Sequence, residues 1–584
     1  MARLVVDPVT RIEGHLRIEA QVDNQKITDA WSAGTMFRGI EIILKDRDPR
    51  EAWIWAQRIC GVCTMVHALA SVRAVEDALQ IEVPNNARIV RNLIAGSQMV
   101  QDHVVHFYHL HALDWVDVTS ALKADPAKTS QIAMSISNYE KSSATYFKGV
   151  QDRVKALVSS GQLSLFSSGF WGHPAYQLPP EVNLLAVAHY LEALSFQKDF
   201  IRIHAVLGGK NPHPQTFLVG GMTTALDPNE PAAVINPDTI TFLRTLVRGA
   251  KKFVDEVYIP DVLAIAPLYK DWFSRGEGLG NFLSYGDYSS GNQKDPGSFL
   301  FPRGIIMNRD LTKVLPVDPA QISESVSHAW YEYSDGDDKA KHPYDGETNP
   351  KYSGPKPPYD FLEVDKKYSW LKAPRYQGKP MEVGPLARVL VAYASGQKDV
   401  KAVVDGVLKK LNAPPAVLFS TLGRIAARAL ECQLMAAQLE KWVNELDDNM
   451  SHGKVQIFNP VMWDPASWPK SSRGFGWHEA PRGSLGHWIE IDGKSIKNYQ
   501  AVVPTTWNAG PRDAQGQRGA YEASLLNTPI ADPARPLEIL RTIHSFDPCI
   551  ACAVHVIDAK GREYTIPRGS VAHAQPPLEM AGIL

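Results

Sequence analysis

Two cysteine pairs frame this chain. One is Arg58-Ile59-Cys60-Gly61-Val62-Cys63, followed by His67. The other is Asp547-Pro548-Cys549-Ile550-Ala551-Cys552, followed by His555. Of the five cysteines only Cys432 is left over. A C-x-x-C puts two sulfurs on one side of a turn, close enough to share one metal. Two such pairs most simply meet as a four-thiolate site. Thiolates are soft ligands that suit nickel, zinc or iron–sulfur. Taken alone, the first pair has a blander reading as small buried hydrophobes.

The elements that must bring these pairs together are legible in outline. The 584 residues are 44% hydrophobic and 21% charged, a normal globular composition. Net charge is -2, and no basic stripe marks a nucleic-acid partner. Residues 10–31 alternate apolar and polar around Asp23-Asn-Gln-Lys26, which predicts a hairpin carrying Glu13 and Glu19. The bland reading of either glutamate is a solvated hairpin face. Asp48-Pro49 predicts a helix start, so residues 50–80 read as helical with the first C-x-x-C on or beside the helix. Residues 86–115 predict a second helix bearing Asp102, His103, His106, His109, His111 and Asp114; the i, i+3 spacing of His103 and His106 could suit a metal, but no H-E-x-x-H is present and the preferred reading has the histidines packed and hydrogen-bonded inside. Residues 181–207, 236–258, 383–411 and 415–447 carry further helical periodicity. Residues 268–380 are rich in Gly, Pro, Ser, Asp and Tyr and predict an irregular, mostly surface region with short strands. Residues 487–508 return to strand character around Asp492-Gly493. The fold class expected is α+β, mainly α: a central bundle of long helices with N- and C-terminal hairpins and a loop-rich insertion. One interdependent unit is expected over 1–555. It divides into a β region (1–49), a helical core (50–267), the loop-rich region (268–380), more core (381–450) and a C-terminal β and ligand region (451–555).

Several motifs occur in order: Arg11-Ile-Glu-Gly-His15, Phe37-Arg-Gly-Ile-Glu41, Arg58 to His67, Glu479-Ala-Pro-Arg-Gly483, Val503-Pro-Thr-Thr-Trp-Asn508 and Asp547 to His555. Together they closely resemble the large, catalytic subunit of nickel–iron hydrogenases, of the uptake, membrane-associated type. The resemblance runs from about residue 3 to the end. It implies that Cys60 and Cys549 bind nickel terminally, and that Cys63 and Cys552 bridge nickel to an iron carrying carbon monoxide and two cyanides. It implies that Arg482, Pro504 and Thr505 face the cyanides, and that Asp102, Pro481 and Asp547 complete a canopy over the open metal position. His67 would hydrogen-bond a cysteine sulfur, and Glu13 would accept the first proton beyond the site. Glu41, the Ala501 carbonyl and His555 would hold magnesium. His213 would face the nearest iron–sulfur cluster of a small partner subunit. A maturation endopeptidase would cut between His555 and Val556, removing the extension 556–584.

The residues make chemical sense beside the resemblance. Dihydrogen is a poor acid until a Lewis-acidic metal polarises it and a nearby base takes the proton. Cys549 is the favoured base. Arg482 assists, because a guanidine with a pKa above about 12 acts only if held near the metal. Burial would raise the Glu13 carboxyl and suit it to a relay. One spare cysteine cannot build a four-cysteine cluster, so electrons must leave through a partner chain.

Rival readings are a structural zinc protein, a hydrogen sensor of the same fold and the quinone-reducing subunit of respiratory complex I. Zinc explains the cysteine pairs but not the Ala-Pro-Arg-Gly or Val-Pro-Thr-Thr-Trp motifs. Sensors typically lack the cleaved tail, and the complex I branch lacks the paired cysteines. The N-terminus does not read as a signal peptide, so export would depend on a partner's signal. The expected place is the periplasmic side of the cytoplasmic membrane beside a cytochrome b, with a cytoplasmic enzyme as the alternative.

Overall fold

Alternation at the N-terminus is realised as a three-stranded antiparallel sheet, β1 (Ala2–Val6), β2 (Leu16–Asp23) and β3 (Lys26–Gly34), in the order β1-β2-β3. The computed structural model describes residues 2–161 and 166–553, with side chains as far as Ala551. The expectations for the Cys552 thiol, His555, Val556 and the extension 556–584 lie outside the described residues. Asn24 and Gln25 take positive φ at the hairpin turn, as the Asp-Asn signal predicts. Two expectations need correcting. The strand begins at Leu16, so Glu13 precedes it. Glu19 is buried rather than solvated, because β2 is the central strand and a loop covers it. Its carboxylate takes Arg17 Nε at 2.7 Å and the Leu362 N–H at 2.8 Å.

Asp48 caps the next segment by accepting the Arg50 N–H at 2.9 Å. The segment is not one helix. A single turn over Ala52–Ala56 stops at an extended Cys60, and helix α1 starts only at Val66 and ends at Ala78. Both cysteines of the first pair therefore sit in the connection. Helix α2 (Asn85–Val105) runs on through a wider π turn to His111. Its histidines pack inside as expected. His106 Nε2 bonds the His544 carbonyl at 2.6 Å and His111 Nε2 the Arg541 carbonyl at 3.1 Å.

Helices α3 (Pro180–Phe200) and α4 (Pro237–Phe253) follow, then α5 (Pro385–Ala394), α6 (Lys398–Leu411) and α7 (Thr421–Ser451). The segment expected over 383–411 is thus two helices, divided where Gly396 takes φ 78°. Ser420 caps α7 through the Gly423 N–H at 3.0 Å. Helix α7 packs against α2, α4 and α5. The helices Pro126–Ile136 and Ala144–Ser159 escape the sequence reading.

The region 268–380 does carry short strands, but it is less superficial than its composition implies. Trp330, Tyr331 and Tyr333 are buried. Tyr331 and Trp370 pack on Phe37, at the edge of the motif that ends in Glu41.

Near the C-terminus β4 (Ser471–Ala480), β5 (Gly483–Asp492) and β6 (Ser495–Val502) form a second antiparallel sheet. The chain turns at Asp492-Gly493 as expected. After Val502 it enters helix α8 (Pro504–Ala509) instead of continuing as a strand, because Pro504 starts a helical turn. The sheet lies directly on α1. A Cβ at Gly476 would stand 2.0 Å from the Ala70 carbonyl oxygen and 2.2 Å from the Ala74 nitrogen, both backbone atoms. Gly476→Ala is expected to destabilise the protein by about 3 kcal/mol, as overpacking against an immovable helix does. A fall in Tm measures it, and an unchanged Tm would show that sheet and helix separate freely.

Candidate metal centre

The first cysteine pair hangs in the turn between the Ala52–Ala56 helix and α1. Several groups hold that turn. Arg38 donates to the carbonyls of Arg58 and Ile59, each at 2.6 Å. Gln98, on α2, donates to the Val62 carbonyl at 3.0 Å and accepts the Met65 N–H at 3.3 Å. Cys63 N–H points at Cys60 Sγ, 3.1 Å away.

The second pair arrives after helix α9 (Leu537–His544). Asp547 takes φ 59°. The chain then pairs briefly with the Arg-Ile-Glu-Gly-His segment. Ile550 N–H donates to the Glu13 carbonyl at 2.7 Å, and Glu13 N–H to the Pro548 carbonyl at 3.4 Å. Gly14, at φ 88°, makes this approach possible, since a Cβ there would lie 2.3 Å from the Ala551 nitrogen. Thr505, on α8, accepts the Cys549 N–H at 3.1 Å.

These contacts bring three sulfurs together. Cys549 Sγ lies 3.3 Å from Cys60 Sγ and 3.6 Å from Cys63 Sγ, and all three residues are buried. Sulfurs at roughly 2.3 Å around a tetrahedral ion stand about 3.8 Å apart, so the spacing fits a shared metal. Among the described residues this is the only such group of three metal-ligating side chains. The donor set is all thiol, and Arg482 Nη1 points at Cys63 Sγ from 3.0 Å. That combination fits a soft divalent metal.

Arg482 follows Pro481 in the turn between β4 and β5. Its guanidinium meets Asp102 at 3.1 Å and Asp547 at 3.0 Å. Burial alone would lower its pKa, but Asp547, Cys63, Cys549 and Asp102 hold it well above the ordinary value. One cation thus faces two carboxylates. Burial pushes Asp102 up to about 8, with Arg482 pulling against it and Cys63 and Asp547 adding to it. Burial also raises Asp547, against the pull of Arg482 and Arg428. The Glu13 carboxyl is raised by burial and by Cys63, with Arg482 and Arg38 opposing.

The other predicted residues have partners of their own. His67 Nδ1 shares a 3.0 Å hydrogen bond with His487 Nε2, whose Nδ1 meets the Tyr499 hydroxyl at 2.6 Å. His213 is half-buried, with its ring beside Gly61 between the two cysteines. Burial, Arg58 and Lys210 lower it to about 4. Glu41 accepts the Ala501 N–H at 2.9 Å and the Thr348 hydroxyl. Nearby, Lys372 donates to Gln500 at 2.8 Å and stands 3.6 Å from Glu324, which burial pushes up to about 7 against the pull of Lys372. Gln98, Arg38 and His487 were not singled out from the sequence. Arg38 lies inside a quoted motif, and Gln98 stands one helical turn before Asp102, so both carried a usable signal. His487 carried none.

Thr505→Val keeps the shape and removes the acceptor of a buried N–H. It is expected to cost about 1–3 kcal/mol, read as a lower Tm; an unchanged Tm would mean that the Cys549 amide finds another acceptor.

A family model described as nickel-dependent hydrogenase matches residues 38–555, and one described as HoxL-like matches residues 3–32. The uptake hydrogenase large subunit of Rhizobium leguminosarum bv. viciae is 53% identical over 575 residues, covering 96% of each chain. The Hydrogenase-1 large chain of Escherichia coli K12 is 50% identical over 575 residues, again covering 96% of each. Among solved structures, the reduced Ni-Fe-Se hydrogenase of Desulfovibrio vulgaris Hildenborough superimposes with a TM-score of 0.74 at 33% identity, covering 95% of this chain and 100% of that one. Family, relatives and thiol centre agree: the chain belongs to the nickel-dependent hydrogenases, which implies nickel and iron at this centre.

Proposed function

We propose that the chain is the catalytic subunit of a hydrogenase that splits dihydrogen into protons and electrons, working in hydrogen uptake. The observation that carries this reading is the convergence of three buried cysteine sulfurs from two distant segments, with Arg482 on one of them. In this reading Cys60 and Cys549 would hold the nickel, and Cys63 and Cys552 would hold the nickel together with the iron. Arg482, Pro504 and Thr505 would face the carbon monoxide and two cyanides of that iron. When bound, the metals supply a Lewis-acidic centre that polarises dihydrogen for heterolytic cleavage.

The chain's own residues divide the remaining work. Cys549 takes the proton, and Arg482, held between Asp102 and Asp547, orients and assists under the canopy that Pro481 closes. Glu13 receives the proton next. Its raised carboxyl keeps a proton to higher pH than a solvated glutamate, which suits a relay. His67 steadies a cysteine sulfur from beside the centre. Glu41, the Ala501 carbonyl and His555 would hold magnesium; the buried Glu41 carboxylate lying against the Ala501 backbone supports that pairing.

The relatives' names, large subunit and large chain, support a smaller iron–sulfur partner, with His213 facing its nearest cluster. A membrane cytochrome b would take the electrons, and an endopeptidase would cut after His555. No described helix is long and apolar enough to cross a membrane. Association with the periplasmic side of the membrane, through a partner exported with this chain, fits the uptake type; a cytoplasmic site is the alternative. The expected single unit, organised around a bundle of long helices, is part of the same reading.

Infrared spectroscopy of the purified complex, with nickel and iron quantified, tests the centre. One carbonyl and two cyanide bands with nickel present are expected. Zinc in place of nickel and no such bands would overturn the reading. Glu13→Gln is expected to leave metal content unchanged and slow turnover by about 100-fold or more, the scale of a lost proton-transfer group. Wild-type proton–deuterium exchange in that variant would remove Glu13 from the path.

A further inference from the structure

Arg482 and Asp102 touch at 3.1 Å, and a second route through the fold also links them. Their chain neighbours, Pro481 and His103, form the two ends of a second buried network. His103 Nε2 meets the Glu431 carboxylate at 2.7 Å. Glu431 grips Arg388 with both oxygens, one on Nε and one on Nη2 at 2.7 Å. Arg388 then reaches the turn that bears Arg482. Nη2 donates to the Pro481 carbonyl at 3.1 Å, and Nη1 to the Ala480 carbonyl at 2.8 Å and to Glu479 at 2.7 Å. His103, Glu431 and Arg388 are wholly buried. The path from Asp102 through His103, Glu431, Arg388 and Pro481 to Arg482 therefore closes on itself across the metal centre.

We propose that Arg388, locked between Glu431 and Glu479, is the positioning residue that sets where the Arg482 guanidinium stands against Asp102 and the cysteine sulfurs. This rests on the hydrogenase reading above, and Arg388 itself touches no reacting atom. The geometry is specific to arginine. A guanidinium has five N–H donors in a rigid fork, and all five are used here on three separate segments: β4, the turn after it, and α7. Lysine would keep the charge but not the fork. It could neutralise Glu431 or hold the Pro481 carbonyl, not both. The ring also joins α2, α7 and the β4–β5 turn, so a slip of any one moves Arg482 relative to Asp102.

Arg388→Lys in the whole complex tests this, read by metal content, by the infrared bands of the iron's diatomic ligands, and by separate kcat and KM for dihydrogen. Full nickel and iron are expected, with shifted bands, KM unchanged and kcat lower by about 10–100-fold, the scale of lost support behind a metal site. His103→Leu is expected to behave likewise, and His103→Gln, which keeps a donor towards Glu431, to recover most of the loss. Fully loaded Arg388→Lys complex with wild-type bands and kcat overturns the proposal. Should that variant fail to assemble, identical bands and kcat in His103→Leu and His103→Gln overturn it instead. A wild-type complex without nickel or diatomic bands would remove the hydrogenase reading beneath it, an outcome separable from failure of the variants alone.

Discussion

The brief backbone pairing between Glu13 and the Pro548–Ile550 segment is the constraint on which the rest depends. Cys60 and Cys549 are 489 positions apart in the chain. No local element can bring such residues to 3.3 Å. Two hydrogen bonds and one glycine at positive φ do it, by laying the last described segment against the first loop. The N-terminal sheet, the C-terminal sheet on α1, and the α2–α7 contact all serve to hold those two segments at fixed separation. Closing so long a loop costs entropy that grows only slowly with length, and the surrounding core supplies the compensation.

Charge is the second constraint. The buried centre gathers thiols, Asp102, Asp547 and Glu13 around one guanidinium. Such a site is costly unless every charge is met. Arg482 meets two carboxylates and a sulfur. Soft cations bound by the sulfurs would complete the balance, which is why the same residues that look overloaded with negative charge make a good home for divalent metals.

Much of this was legible in the residues. The paired C-x-x-C motifs carry their own geometry, and the ordered motifs point to the family by themselves. Long amphipathic stretches showed as helices because their period survives local noise. The breaks did not show. The pause at Cys60 and the division at Gly396 depend on tertiary packing that overrides periodicity. Glu19 looks like a solvated strand residue because alternation does not reveal that the loop at Leu362 covers its side chain. Arg388 and Glu431 were invisible for another reason: each is an ordinary charged residue on a helix, and their meaning lies in partners 43 and 91 positions away.

The distance along the chain also has a temporal meaning. At about 5–20 residues per second of synthesis, the stretch between Cys60 and Cys549 takes roughly 25–100 s to emerge. For that interval the first two thiols exist without their partners. The core helices and the N-terminal sheet can form while the centre is still half made. The pairing of the C-terminal segment with Glu13 is therefore among the last contacts that synthesis allows. Order of assembly, and not only final geometry, is written into the positions of these cysteines.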